Sequence, residues 1–109
     1  MPSPAALWWI IAMEHPLKKD ELSDAIKILP GWDYVDGRLH AEFQFKNFVQ
    51  AFSFITSVAL ESEKMNHHPE WSNSFNKVCI DLVTHAADGV TEKDILLARK
   101  IQQLAQVFN

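Results

Sequence analysis

Three histidines and one aspartate in this 109-residue chain could do proton chemistry together: the adjacent pair His67 and His68, followed at once by Pro69, then His85, then Asp94. Histidine exchanges its proton near neutral pH, so it can serve as acid or as base. The pair lies in Glu63-Lys64-Met65-Asn66-His67-His68-Pro69-Glu70-Trp71, where a long amphipathic segment closes. A helix ending there puts the electronegative end of its dipole beside the imidazoles, which favours their protonated form. Pro69 disfavours helical backbone at His68, so the pair is presented where the chain turns and not along a helix face. His85 stands at the end of an alternating run, and Asp94 opens a further helical stretch.

Such a set reads in two ways. Three histidines suffice for an open zinc site; the same residues also suit an acid–base site without metal. Adjacency counts against the ion, because consecutive side chains of an extended segment point apart and His67 and His68 would not easily grip one metal. Asp94 also has a structural explanation, since Thr91-Glu92-Lys93-Asp94 resembles a capping box. Cys79, inside an apolar alternating run, reads as a strand cysteine and not as a nucleophile. His40 reads as an ordinary residue of a strand's polar face.

The elements that must hold these groups follow from periodicity. Residues 19–29 read as a helix with Leu22, Ala25, Ile26 and Leu29 on its apolar face, stopped by Pro30-Gly31. Residues 32–35 and 38–45 read as strands joined by Asp36-Gly37, a strong two-residue hairpin signal. Residues 47–66 form the longest helical stretch. Its expected core stripe is Phe48, Phe52, Ile55, Ala59 and Ser62, widened by Ala51, Val58 and Met65. Phe54 falls off that stripe, which suits a second buried face shared between subunits. Residues 71–75 and 78–84 read as a second strand pair around Asn76-Lys77, and residues 91–108 as a final helix.

Strands that arrive as hairpins give an antiparallel sheet, and alternation of apolar and polar residues lets helices cover one face only. The expected fold is therefore α+β: two layers, a four-stranded antiparallel sheet with three helices on one face, in the order αββαββα. Residues 1–16 are expected to be an apolar arm and residues 17–109 the domain. The arm's run from Ala5 to Met13 is too short to span a bilayer, and no basic stretch precedes it as a signal peptide requires. It reads as an arm packed on the domain or on a neighbouring subunit, or else as an exposed apolar patch seeking a partner.

Apolar content of 48% and charged content of 22% suit a soluble globular chain. A net charge of −4 without any basic run argues against a nucleic-acid groove. The lone Cys79 forms no internal disulfide and makes a reducing compartment the easier assumption.

Taken together, the spaced residues resemble the pterin-4a-carbinolamine dehydratases, also called the dimerization cofactor of a hepatocyte nuclear homeodomain activator. The resemblance covers about residues 17 to 106. It rests on Glu63, then His67-His68-Pro69, Phe75, His85 and Asp94 at the family's intervals, with Pro30-Gly31-Trp32, Glu70-Trp71 and Thr84-His85 also similar. It implies a dehydratase without cofactor or metal that removes water from 4a-hydroxytetrahydrobiopterin, giving quinonoid dihydrobiopterin in tetrahydrobiopterin recycling. His67 and His85 would exchange protons with the 4a-hydroxyl and N5, and His68, the third catalytic histidine, would orient the pterin and share the acid–base work. Trp32 would wall the pocket; Glu63 and Asp94 would stand behind the histidines or at the entrance and steady their charged form. The resemblance further implies a homotetramer, a dimer of dimers, with a cytoplasmic and, for a coactivator, nuclear location. Two other classes compete: a module that binds a homeodomain transcription factor, and a metal-dependent hydrolase. Neither direct nucleic-acid binding nor a membrane is expected.

Overall fold

The structure is a computed structural model and describes residues 15–108; the expectation for the apolar arm falls almost wholly outside them. In chain order the elements are α1 (Lys19–Lys27), β1 (Trp32–Val35), β2 (Arg38–Gln44), α2 (Phe48–Met65), β3 (Glu70–Ser74), β4 (Lys77–Leu82), a 3-10 turn (His85–Ala87) and α3 (Glu92–Gln106). The four strands form one antiparallel sheet in the order β1-β2-β4-β3, so the hairpins meet through their second strands. This is the α+β arrangement that the patterning predicts.

Alternation along the two central strands builds the layers. Leu39 and Ala41 of β2 and Val78, Ile80 and Leu82 of β4 are buried against Leu22, Ala51, Phe54, Val58, Leu97, Ala98 and Ile101 from the helices. Arg38, His40, Glu42, Cys79 and Asp81 take the opposite parity and lie on the sheet's polar face. The β1–β2 hairpin turns through Asp36 and Gly37, both at positive φ, as a tight turn of this kind requires.

Three local expectations need correction. On α2, Phe54 is fully buried, whereas Phe48 and Phe52, assigned to the core stripe, are half exposed. The core row is Ala51, Phe54, Ile55, Val58 and Ser62, rotated about 60° from the expected stripe toward its Ala51–Val58 side. Phe43 and Phe45 of the first hairpin explain the choice, because both rings pack on Phe54. The second hairpin begins one residue early, at Glu70, and turns through Phe75-Asn76; Asn73 closes that turn by donating to the carbonyls of Phe75 and Lys77. His85 does not end a strand. The chain leaves β4 after Leu82, and Thr84 pairs with Gly89 across a short loop that begins with the 3-10 turn carrying His85.

That loop is pinned from the start of the described chain. The N–H of Leu17 donates to the carbonyl of Val90 at 2.7 Å, and Pro16 lies so close to Gly89 that a Cβ there would stand 3.0 Å from its own. Glycine at 89 lets the two segments touch. Among the described residues no helix is long and apolar enough to cross a membrane.

Candidate active site

The amphipathic helix α2 ends on Asn66 in the left-handed conformation, with its N–H bonded to the carbonyl of Glu63. Asparagine tolerates that conformation better than most residues, and such a cap reverses the chain direction. The next residue, His67, is carried back over the end of the helix. There it is 9% exposed, and its Nε2 lies 2.5 Å from Oδ1 of Asp94.

Asp94 has no exposed surface at all, so each of its lone pairs must be accounted for. It is the third residue of α3, and its Oδ2 accepts from the N–H of Thr91 at 2.9 Å, while the Thr91 hydroxyl accepts from the N–H of Lys93. The capping box is therefore real. Oδ2 also accepts from the hydroxyl of Thr84 at 2.8 Å, and the Thr84 oxygen lies 2.8 Å from that of Thr91. A carboxylate only accepts, so proton directions follow: Thr91 gives its hydroxyl proton to Thr84, and Thr84 gives its own to Asp94. Oδ1 is left for His67, whose Nε2 must carry the hydrogen. In the neutral ring the nitrogen left without a hydrogen is then Nδ1, which has no bond to any described residue.

Thr84 also ties the backbone of His85 to this cluster. His67 touches Asp94, Asp94 touches Thr84, and His85 is the following residue. The His85 side chain is 74% exposed and lies 3.5 Å from Oε1 of Glu70, whose other oxygen accepts from Arg38. It borders a cleft of about 250 Å³ lined also by Tyr34, Asp36, Arg38, Asp88 and Gly89. His68 points to solvent, with Nε2 at 3.0 Å from Oε1 of Glu63. The structure thus bonds His67, Asp94 and Thr84 into one buried cluster with His85 next in the chain, while the His85 imidazole faces a cleft that His67 does not line; His68 pairs with Glu63 in solvent near the end of α2. Trp32 belongs elsewhere. It is 2% exposed, packs edge-on against Phe43 and donates from its indole to Gln102 at 3.2 Å, which leaves almost no ring surface for a ligand.

In the sequence Thr91 reads only as a helix cap, Thr84 and Glu70 enter only through the resemblance, and nothing marks Arg38; none of the four is given a role at the site. Only the bonding shows Thr84 to be a partner of Asp94; in the sequence it is simply the residue before His85. On the polar face His40, read as an ordinary strand residue, bonds to Asp81 at 2.8 Å; that bond, with Glu42 close by, raises the imidazole above its ordinary value. The Arg38 guanidinium beside Glu70 holds its carboxyl below the usual carboxylate range. Among the described residues no three histidine, cysteine or acidic side chains are grouped as a metal ion would need.

Most of the chain matches one known family. Residues 15–104 match the family model for pterin 4 alpha carbinolamine dehydratase. A protein of Christiangramia forsetii, provisionally named for that activity, is 45% identical over 97 residues, covering 89% of this chain and all of that one. A similarly named protein of Solibacter usitatus is 46% identical over 93 residues, 85% of this chain and 98% of its own. The crystal structure of a transcriptional coactivator/pterin dehydratase from Brucella melitensis superposes with a TM-score of 0.82 at 43% identity, covering 84% of this chain and 99% of that one.

Proposed function

The chain belongs to the pterin-4a-carbinolamine dehydratase family, and we propose that it dehydrates 4a-hydroxytetrahydrobiopterin to quinonoid dihydrobiopterin by histidine acid–base catalysis. The reaction breaks the C4a–O bond, releases the hydroxyl as water and removes the N5 proton, so that the electron pair of N–H becomes the N5=C4a bond. No electrons leave the substrate. One group must give a proton to the departing oxygen and another must take one from N5, and each transfer by a placed side chain is worth about 10² to 10⁴-fold.

The observation that carries this reading is the buried Asp94, which fixes the tautomer of His67 while Thr84, bonded to the same carboxylate, precedes His85. In the proposed mechanism His67 and His85 pass the two protons, and His68 with Glu63 orients the pterin at the rim. Asp94 acts through His67. A wall role for Trp32 finds no support in its burial. The test is a stopped-flow assay of carbinolamine decay with and without chelator; decay accelerated by the protein and indifferent to chelator is expected, and chelator-sensitive decay would favour a metal-dependent hydrolase.

We read the working unit as a homotetramer placed in the cytoplasm, in tetrahydrobiopterin recycling. Support for assembly comes from the exposed row Phe48, Val49, Phe52 and Leu60 on α2 and from the edge strand β3, where Trp71 within the strand and Phe75 just past it are exposed. The same row would serve the alternative reading, a coactivator or dimerization module for a homeodomain transcription factor. Binding to such an activator's isolated dimerization helix, with no effect on carbinolamine decay, would favour it.

A further inference from the structure

His67 is fixed by a buried carboxylate, but His85 has no such shelter. Its side chain heads a three-residue turn and is mostly in solvent, where an imidazole has several staggered rotamers open to it. One group limits that freedom. Glu70 places Oε1 3.5 Å from Nε2 of His85 and gives Oε2 to Nη1 of Arg38. The three residues come from three parts of the chain: Arg38 opens β2, Glu70 opens β3, and His85 follows β4, which runs between them. Glu70 faces Asp81 in register, and Arg38 stands one place beyond the Leu39–Leu82 pair. The ion pair therefore crosses the end of the central strand, on the polar face, just before the chain reaches His85.

From this geometry we infer that Glu70, clamped by Arg38, is a positioning residue for His85: it holds the ring with Nε2 turned to the carboxylate and Nδ1 turned to the substrate. The inference rests on the dehydratase reading of the same site. A carboxylate bound on one oxygen by a guanidinium stays ionised and oriented, and its second oxygen can only accept, so the hydrogen of a neutral His85 sits on Nε2. Inside, Asp94 holds His67 through a direct hydrogen bond; at the surface Glu70 reaches His85 as a looser ion-pair contact at 3.5 Å. Tyr34, Asp36 and Asp88 also line the His85 cleft, but no ion pair joins either aspartate to His85 among the described residues.

The experiment compares wild type, Glu70→Gln, Glu70→Asp, Arg38→Gln, His85→Ala and the double variant Glu70→Gln/His85→Ala. Carbinolamine dehydration is followed by stopped flow, and the His85 ring nitrogens are observed by long-range proton–nitrogen NMR. Glu70→Gln should lower kcat about tenfold, the scale on which orienting partners of histidines act, with KM within about twofold. Arg38→Gln should lower it less, and Glu70→Asp should recover part of the loss. In the His85→Ala background the Glu70 change should have no further effect. The NMR spectrum should pass from one dominant tautomer to a mixture in Glu70→Gln. An active wild type with unchanged kcat and tautomer in Glu70→Gln, or an equal loss whether or not His85 is present, overturns the inference. An inactive wild type rejects the dehydratase reading itself, and the inference with it.

Discussion

A proton on Nε2 of His67 is forced there by a carboxylate that can only accept. Removing the ring would strand Asp94 with one oxygen buried and unpaired, so His67→Ala should cost about 3 kcal/mol in chemical denaturation as well as activity. His67→Gln is the cleaner variant, because its amide nitrogen can still donate to Oδ1. It should keep most of the stability and lose about 10² to 10⁴-fold in dehydration rate. Asp94→Asn should behave as a tautomer variant. Its oxygen can still accept from Thr91 and Thr84, but its amide then donates to His67 and moves the ring hydrogen to Nδ1. A fall of about a hundredfold or more in kcat with a folded protein is expected, and a rate near wild type would refute the forced-tautomer argument. His40 offers a pH test away from the site. The bond from Asp81 raises it above 6.5, so its contribution to stability is complete below 6.5 and disappears as pH rises through the folded-state value. Its NMR titration midpoint should lie above 6.5 and fall back toward that value in Asp81→Asn; a midpoint at or below 6.5 in the wild type would remove the effect.

Element ends do the placing. α2 delivers His67 through the left-handed Asn66, and α3 delivers Asp94 through a cap whose threonine also bonds Thr84. Thr91→Ala should therefore cost about 1 kcal/mol or somewhat more in a denaturant melt, since it removes a cap and the donor to Thr84 together. Much of this was readable in the sequence: the hairpin at Asp36-Gly37, the helix stop before His-His-Pro, the capping box at Thr91, and the order of all seven main elements. The misread stripe of α2 has a physical cause. Phe48, Phe52 and Phe54 are equally apolar, and helical periodicity cannot choose between rows when aromatic residues occupy both; the choice is made by Phe43 and Phe45 from another hairpin. Bonds between distant residues were out of reach for the same reason. Nothing local marks Thr84 as a donor to a residue ten places on, or Arg38 as the partner of Glu70. The corrected stripe makes a test: Phe54→Ala should cost about 3 to 5 kcal/mol, whereas Phe52→Ala should change the stability of a lone subunit by only about 0.5 kcal/mol.

At the scale of the molecule, the terminus of a long helix, the start of another and a pinned loop meet through His67, Asp94 and Thr84, and the residue after Thr84 is His85, 18 positions beyond His67 in sequence. The sheet's polar face and the exposed row on α2 remain as outer surfaces of the chain. If the row on α2 joins subunits, Phe52→Asp should lower the mass measured by light scattering while leaving the helical content unchanged; an unaltered mass would place the contact elsewhere. The most direct trial of the whole is stopped-flow dehydration of the 4a-carbinolamine by wild type, His67→Gln and His85→Ala in the presence of chelator. Fast decay with the wild type and steep loss in both folded variants is the expected result. Wild-type rates in either variant, or no acceleration by the unaltered protein, would contradict it.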